Sequence, residues 1–534
     1  MIIKRNQEKR KNSKRLLRMI KKQVQGITLI ALVVTVIVLL ILAGVALNLT
    51  VGDNGLFKRA QNATDTWQEA SEREAIELAV AGMQIGSMQE TGMTKTELEN
   101  SLKDQFGDKA SVEDNEDGSF LVTIGESQYY VGEDGEIIES SNMLEISSVE
   151  GLKTFRDDVN NGNTYEGKYV YLTNDIILDS SEEWEPIGLY PNDSSTPDDE
   201  DNKPFSGIFD GKNHEIDGIY INTTDKVQGL FGLVKSGKIM NLDTGLNCNI
   251  KGGNASSGIV GYSCTGAVVN KCNNKSNING KYTGGVVGYS SDSKILNSHN
   301  TGKITGEIYT GGVVGMASNL IILNCYNIGS ISGTFGHIGG IVGQLTGGEN
   351  SSTVLNCYNS GNIEGGYFVG GIAGNMNNDC VLESCYNNCE FVVANSKTNA
   401  DNTCVGGIVG INSYSKIKDV YNIGEVKGEY NGVGGIVGIN RGDLSNSYNI
   451  GTISGSEKGG IVGVNDNYDD YKGIIKNSYC LDEINLYGIN KGTISEECSS
   501  ESSINLKSMA SILGESFKED TNNINSRYPI LKWQ

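Results

Sequence analysis

Hydrophobic positions follow several different patterns along this chain, and each predicts a different kind of structure. The first is continuous: residues 27–47 carry no charged side chain and are almost all apolar. As a helix this run is long enough to cross the hydrocarbon core of a bilayer, ~30 Å thick, and it exceeds the ~7–15 apolar residues of a cleaved secretory signal. Because basic residues precede it, the rest of the chain is expected outside the cytoplasm. We therefore predict a membrane-spanning helix over 27–52, and a plain signal anchor that is never processed is one interpretation of it.

The second pattern has the period of a helix. Apolar residues recur at steps of three and four over 56–83, which predicts an amphipathic helix, and 94–106 predicts a second helix with a threonine cap. Residues 120–138 alternate as a hairpin would, with a turn at 133–135. Together these elements predict a small α+β module over 53–142.

The third pattern is an internal repeat, in which a box of one or two glycines, two apolar residues and a closing glycine recurs at intervals of roughly 30 residues. The boxes occupy residues 229–232, 258–261, 284–288, 311–315, 339–343, 370–374, 406–410, 434–438 and 459–463. Three short strands per repeat bury little alone, but stacked coils share one core. We predict a mainly β chain with a parallel β-solenoid over 226–480, its leading coils and cap over 143–225, and a C-terminal cap over 481–534.

Within each repeat the strand around an Asn-x-Tyr-Asn motif alternates in character. A leucine column (Leu296, Leu323, Leu355) and a cysteine column are predicted to face the core. The first asparagines of the motif are predicted to stack as an amide ladder, which Ser384 and Asp419 interrupt: Asn270, Asn297, Asn324, Asn356, Asn446 and Asn477.

The aromatic residues of this motif are predicted to face outward, with His299 ahead of them. They are Tyr326, Tyr358, Tyr386, Tyr421, Tyr448 and Tyr479. A row of exposed aromatic rings is a candidate binding surface for a glycan or a partner protein. The alternative is that the rings only stack and shield the amide ladder.

Cysteines and acidic runs offer weaker signals. The 11 cysteines include the column Cys325, Cys357 and Cys385, which indicates small buried free thiols rather than disulfides. Cys380 and Cys389 lie close to this column in sequence, but without a nearby histidine we expect no zinc site. The acidic runs 197–202 and 466–470 lack the order of a calcium loop, and the Arg441-Gly442-Asp443 tripeptide is expected by chance.

Charge and missing motifs exclude several functions. Residues 1–25 contain ten Lys or Arg and one Glu, whereas the whole chain has a net charge of −22, which argues against nucleic-acid binding. With three histidines there is no H-E-x-x-H motif, and neither a G-x-S-x-G elbow nor a phosphate-binding loop occurs. We expect no enzymatic activity, no cofactor and no metal.

The junction between the basic leader and the apolar helix carries a resemblance. A polar leader, 1–26, ends in glycine and is followed by Ile-Thr-Leu-Ile, which resembles the prepilin-type segment of type IV pilins and pseudopilins. The resemblance implies cleavage by a prepilin peptidase between Gly26 and Ile27, methylation of Ile27, and contacts with other pilin-like subunits. The family usually has glutamate at the fifth mature position, where this chain has Ala31.

The repeat boxes resemble the GLUG motif, known from bacterial surface proteins and from the N-terminal part of some immunoglobulin A peptidases. The tail Tyr528-Pro-Ile-Leu-Lys-Trp-Gln534 is similar to the closing strand of such solenoids. These resemblances imply a membrane-anchored protein with an extracellular body at the cell surface, which acts in adhesion. The alternative is a polysaccharide lyase or hydrolase on a β-helix, which three or more acidic side chains converging with a Lys or Arg in one groove would favour.

Overall fold

The computed structural model divides into two compact units, 1–137 and 138–534. It describes residues 68, 70–81, 94–114, 119–132, 135–191, 199–223, 227–348, 351–395, 403–429, 432–455, 457–468, 471–481, 485–490, 492–494 and 497–534. The predicted leader 1–26 and membrane helix 27–52 therefore lie outside the described residues. In the described part of the chain, no helix is both long enough and apolar enough to span a membrane.

The N-terminal unit is a small α+β module. Its helices are 70–81 and Lys95–Phe106, and the second begins at Thr94, whose hydroxyl accepts a hydrogen bond from the Glu97 amide as the sequence predicts. Its four-stranded sheet consists, in order, of Ala110–Asp114, Phe120–Ile124, Ser127–Val131 and Ile137–Glu139. A short 3-10 helix, Gly107–Lys109, joins the second helix to the sheet.

The predicted hairpin over 120–138 contains one more turn than the sequence indicated. The chain reverses at Gly125 and Glu126, between two antiparallel strands, whereas residues 133 and 134 of the predicted turn lie outside the described residues. Gly125 has φ +64°, a left-handed conformation that glycine adopts without steric cost. Nothing in this arrangement is specific to pilins.

The C-terminal unit is a parallel β-solenoid, as predicted. One column of paired residues passes from Ile187 through Phe231 and Val314 to Tyr487 over eleven rungs, so the solenoid has about 11 turns. Parallel, in-register pairing means that each residue lies on its counterpart in the next coil.

The solenoid strands form two sheets, which we call the long sheet and the short sheet. The long sheet consists of Met143–Ile146, Tyr169–Leu172, Ile176–Ile177, Ile208–Asp217, Phe231–Lys235, Lys238–Thr244, Val260–Cys264, Val268–Asn274, Val287–Ser291, Lys294–Leu296, His299–Asn300, Val314–Ser318, Ile321–Leu323, Tyr326–Asn327, Val342–Thr346, Thr353–Leu355, Tyr358–Asn359, Ala373–Asn377, Val381–Asn387, Val409–Asn422, Val437–Asn449, Val462–Asn465, Ile474–Leu481, Tyr487–Asn490, Thr493–Ile494 and Ser499–Glu501. The short sheet consists of Tyr220–Asn222, Val227–Gln228, Asn249–Lys251, Ala255–Ser256, Asn277–Gly284, Ile304–Gly311, Ile331–Gly333, His337–Gly339, Ile363–Gly365, Phe368–Gly370, Phe391–Ala394, Cys404–Gly406, Glu425–Gly428, Val433–Gly434, Ile453–Ser454 and Lys458–Gly459. A two-stranded hairpin, Asn467–Tyr468 with Tyr471–Lys472, projects from a late coil.

The predicted amide ladder is present and sets the corner of each coil. Asn297 Nδ2 donates to Asn270 Oδ1 at 2.9 Å, and the same bond recurs from Asn324 to Asn297 at 3.1 Å. Residues of this column from Asn297 onward, including Ser384 and Asp419, have φ between 43° and 55°. Short polar side chains tolerate this left-handed region best.

This corner corrects the predicted leucine column. Leu296, Leu323 and Leu355 are only half-buried, while the residues before them are fully buried: Ile295, Ile322 and Val354. The left-handed asparagine that follows each leucine interrupts the strand alternation, so the side-chain order changes there. The cysteine column after the corner is buried, as predicted.

A second asparagine ladder, at the last position of the motif, lies inside the coils. Asn300 Nδ2 donates to Asn327 Oδ1 and Asn327 Nδ2 to Asn359 Oδ1, both at 2.7 Å, and each amide also donates to a carbonyl two residues on. The column is at most 1% exposed throughout: Asn274, Asn300, Asn327, Asn359, Asn387, Asn422 and Asn449. Each amide lies against a box glycine, and a Cβ at Gly312 would come closer than 3.0 Å to the Gly340 carbonyl and to Asn327.

The two ends of the solenoid are finished differently. Helix Val149–Asn160 covers the first coils, and its Phe155 packs against Phe205 and Phe209 with ring centroids 5.6 and 5.8 Å apart. The C-terminal helices Ser503–Lys507 and Ala510–Leu513 precede a hairpin of Phe517–Lys518 and Ile530–Leu531. The tail thus pairs within this segment and does not add the closing strand that the sequence indicated.

We predict that Gly312→Ala destabilises the solenoid by about 2–3 kcal/mol, because the new methyl group must push apart two coils and the buried amide between them. Gly151→Ala is the matched control, since the nearest atom to its Cβ is 3.5 Å away and alanine favours the helix in which it lies. Urea unfolding of the two variants measures the difference. Equal unfolding midpoints for the two would contradict the tight packing of the box.

Candidate functional site

The tyrosine column forms a stack along the long sheet. His299 lies over Tyr326 with ring centroids 4.3 Å apart, and the successive tyrosine pairs from Tyr326 to Tyr448 are separated by 4.9–5.0 Å with planes within 8° of parallel. The backbone register places these residues directly on one another from coil to coil. We call the column from His299 to Tyr479 the tyrosine ladder.

Only the first part of the tyrosine ladder is open. Tyr421, Tyr448 and Tyr479 are 1%, 0% and 5% exposed. The segment 502–534 covers them, packing Leu506, Leu513, Phe517 and Leu531 against their rings. The prediction that all six tyrosines form a binding face is therefore corrected, because these three point away from the core but lie beneath a second layer. His299, Tyr326, Tyr358 and Tyr386 remain partly exposed.

The boundary between the open and covered parts is made by the last residues of the chain. The Trp533 indole N–H donates to the Ser384 carbonyl at 2.9 Å, and its ring centroid lies 5.7 Å from that of Tyr386. Tyr421 donates its hydroxyl proton to Gln534 Oε1 at 2.9 Å. Neither contact was predicted, since no repeat pattern links residues so far apart in sequence.

The stacking of the rings determines which of their atoms are accessible in the open part of the tyrosine ladder. The faces of an internal ring are covered by the rings of the neighbouring coils, so the accessible parts are ring edges and phenol oxygens. Burial raises the pKa of Tyr326 and Tyr358, and raises that of Tyr386 to about 12, with the neighbouring Tyr358 adding to the effect. The hydroxyls therefore stay protonated at neutral pH and act as donors and acceptors at intervals of one coil.

Charged groups occupy the same column ahead of His299. In register, Glu215 and Asp243 precede Asn273, which pairs with His299. Lys275 Nζ lies 2.8 Å from both carboxylates. Burial lowers the pKa of His299, so its ring is neutral at pH 7. This charged column was not predicted from the sequence, although its outward positions alternate with the buried Ile216 and Leu242.

Beside the charged column, Asp175 accepts a hydrogen bond from the Glu215 amide at 3.1 Å and pairs with His214 Nδ1 at 2.9 Å. These two bonds lower the pKa of Asp175. Three acidic side chains and a lysine thus come together, the arrangement that would favour an enzyme. None of them lines the cavity of about 580 Å³ beside Trp184 or its smaller neighbour of about 190 Å³, and both carboxylates in contact with Lys275 are held in an ion pair.

The cysteine column has the predicted character. Cys325, Cys357 and Cys385 are buried free thiols, and the Cys325 amide donates to Cys357 Sγ at 3.4 Å. Ser298 occupies the equivalent position in the preceding coil and accepts the same bond from Cys272. Burial raises the pKa of the Cys325 and Cys357 thiols well above the usual value, which makes them unreactive. In the described part of the chain, no group of three His, Cys, Asp or Glu residues is placed to hold a metal.

The remaining sequence candidates contribute little. Arg441 pairs with Asp466 at 3.3 Å, so this arginine of the tripeptide is engaged within the solenoid. Residues 197–198 and 469–470 of the acidic runs, and Gly26 and Ile27 of the processing site, lie outside the described residues.

Comparison with known proteins identifies the repeat. Two segments, residues 279–305 and 401–427, match the family model described as the GLUG motif. The solenoid therefore contains GLUG repeats. None of the curated proteins matches this chain.

Two solved structures share a distant likeness with the GLUG solenoid. One is a crystal structure from Bacteroides ovatus with the provisional description immunoglobulin A1 protease, 16% identical, with a TM-score of 0.33 over 74% of this chain and 94% of that one. The other, described as IgA1 protease, is 15% identical with a TM-score of 0.33, over 74% of this chain and 27% of that one. At these values the likeness carries no argument about activity.

We predict that Tyr386 contributes to alkaline sensitivity. An unfolded tyrosine titrates near 10 and the folded Tyr386 near 12, so its contribution to stability is complete below pH 10 and is lost as the pH rises from 10 to 12. Urea unfolding at a series of pH values should show a smaller loss over this interval for Tyr386→Phe than for the unchanged chain. Tyr487→Phe, which changes an exposed ring, is the control. This variant should lose as much stability over the same pH interval as the unchanged chain does.

Proposed function

We propose that this chain is a cell-surface structural protein that binds an extended glycan along the open tyrosine ladder. The observation that carries the proposal is the in-register stack of His299, Tyr326, Tyr358 and Tyr386, which remains partly exposed at the surface of a rigid solenoid. A row of half-buried rings that does not belong to the core is typical of a contact surface.

The repeat distance favours a polymer as the ligand. Ring edges and hydroxyls recur at 4.9–5.0 Å, so each coil offers one apolar edge and one hydrogen-bonding group. A glycan chain also presents hydroxyls and apolar C–H groups at a regular interval. Binding then sums many weak contacts along the rod, and the charged column at Glu215 and Asp243 extends the same line with acceptors.

We predict that Tyr326→Ala combined with Tyr358→Ala weakens glycan binding by about tenfold or more, since each ring contributes of the order of 1 kcal/mol of contact. A panel of immobilised glycans, probed with the purified chain, first identifies the glycan and then measures the loss. The matched control is Tyr282→Ala with Tyr309→Ala, which removes a stacked pair 5.0 Å apart from the short sheet. Equal losses for both pairs, or binding only to protein partners, would refute the glycan ladder.

The same proposal includes anchoring through the N-terminus. The basic leader, the Gly26-Ile27 junction and the apolar run after it support export as a prepilin-like substrate, with a prepilin peptidase as the processing partner and the membrane holding the mature helix. Pilins usually have a glutamate at the position of Ala31, and its carboxylate pairs with a neighbouring subunit. Ala31 lacks this carboxylate. We therefore place the chain as a pilin-like or pseudopilin-like surface protein and not as a major filament subunit.

We predict that mass spectrometry of the chain from its natural membrane finds methylated Ile27 as the first residue. Gly26→Val should block the cleavage and leave the leader attached, because prepilin-type processing needs glycine before the cut. Gly44→Val, within the same apolar run, is the control that should be processed normally. An intact Met1 in the unchanged protein would favour the plain signal anchor.

The second candidate function is a polysaccharide lyase or hydrolase. It draws on Asp175, Glu215 and Asp243 near Lys275. We rank it lower because Lys275 is bonded to both Glu215 and Asp243, and this ion pair leaves neither carboxylate free to exchange a proton with a substrate. Shortening of a glycan by the purified chain would reverse the ranking.

A further inference from the structure

The segment 502–534 shows how the tyrosine ladder binds an amide group. The Tyr421 hydroxyl donates a hydrogen bond to Gln534 Oε1 at 2.9 Å, and the Tyr448 hydroxyl, one coil further on, donates one to the Pro529 carbonyl. Both acceptors are amide oxygens, one in a side chain and one in the main chain. The covered tyrosines are therefore donors to amide oxygens, while apolar side chains of the segment pack on their rings.

The open tyrosines offer the same donors without a partner. Tyr326 and Tyr358 lie in register with Tyr421 and are partly exposed. In the part of the chain that the structure describes, no group accepts a hydrogen bond from either of these two hydroxyls. A ligand that carries amide oxygens would give them the bonds that the covered tyrosines already have.

Trp533 adds an apolar surface at the end of the open ladder. It is 38% exposed, and because its indole N–H is bonded to the Ser384 carbonyl, the rest of its side chain consists of carbon atoms alone. The indole plane lies 32° from the planes of Tyr358 and Tyr386, with ring centroids 6.4 and 5.7 Å away. Since the tyrosine planes stack along the rod, the indole faces are directed along it too. A sugar docked on the tyrosine edges would meet one of these faces.

The charge of the chain favours a neutral ligand. The net charge is −22, and Glu215 and Asp243 continue the line of the ladder beyond His299. Lys275 is already bonded to both carboxylates, and burial lowers the pKa of His299 so that its ring is neutral at pH 7. A glycan with carboxylate or sulfate groups would therefore be repelled along this line.

We propose that the open tyrosine ladder and Trp533 together bind a neutral glycan that carries acetamido groups. The Tyr326 and Tyr358 hydroxyls donate to acetamido oxygens, which take the place that Gln534 and Pro529 occupy at the covered tyrosines. Trp533 stacks on the C–H face of a sugar at the end of the open ladder. This inference rests on the proposed function, because it uses the same surface, and it specifies the class of glycan.

The test is calorimetric titration of the whole chain with chitohexaose, six linked N-acetylglucosamine residues, and with cellohexaose, which has the same linkage and a hydroxyl in place of each acetamido group. Chitohexaose should bind more tightly by about tenfold or more. Tyr326→Phe combined with Tyr358→Phe keeps the stacked rings but removes the donors, so the two affinities should become equal. Tyr282→Phe combined with Tyr309→Phe, the matched pair on the short sheet, should leave the preference unchanged.

Tryptophan fluorescence tests the part played by Trp533. Binding of chitohexaose should shift the emission of the unchanged chain, and Trp533→Phe should lose this shift while keeping a ring at the position. Trp184→Phe, at a ring that is 4% exposed and bonded to the Leu230 carbonyl, should keep the shift. A shift that persists in Trp533→Phe, or no shift on binding, would overturn the stacking of a sugar on Trp533.

The failure of this inference differs from the failure of the proposed function. Equal affinity of the unchanged chain for the two hexamers, or tighter binding of the deacetylated and cationic hexamer of glucosamine, would overturn the acetamido assignment. If that binding is lost in Tyr326→Ala combined with Tyr358→Ala, the glycan ladder itself still stands. Binding of neither hexamer would also overturn the assignment, and the panel of immobilised glycans would then decide whether the ladder binds any other glycan. Absence of binding across the whole panel would refute both.

Discussion

The structure depends on how closely one coil can approach the next. Box glycines such as Gly312 leave no room for a side chain, and their backbones lie directly against the fully buried amides of Asn327 and its equivalents. Asn327 Nδ2 donates to Asn359 Oδ1 in the adjacent coil and to the Gly329 carbonyl two residues on. A buried amide without those partners would cost far more than it contributes, so glycine and asparagine are required together.

From that spacing follows the chemistry of the outer surface. Because the coils stack in register, the side chains at equivalent positions of successive repeats form a column with the interval of one coil. The ring stack from His299 to Tyr448 is such a column. A repeated column suits a repeating ligand. The cavity beside Trp184 is the opposite case, because it forms where the repeat is irregular and a single set of side chains converges.

The sequence predicts these features unequally. Box spacing predicts the solenoid, and the first asparagine ladder follows from its alignment. The second ladder shares the same motif, but its burial depends on the box glycine that lies against it and not on the local pattern. Helix Val149–Asn160 was overlooked although Leu152, Phe155 and Val159 have helical spacing after Ser148, whose hydroxyl caps it.

The covering of the ladder by 502–534 could not be predicted, because it joins residues without a shared period. It is nevertheless a specific contact. Tyr448 is fully buried, and its hydroxyl accepts a hydrogen bond from Asn525 Nδ2 at 2.7 Å and donates one to the Pro529 carbonyl. A phenol buried without such partners would be costly, so this segment is matched in hydrogen bonding to the rings it covers. The length of the accessible ladder is therefore set by the tail and not by the number of repeats.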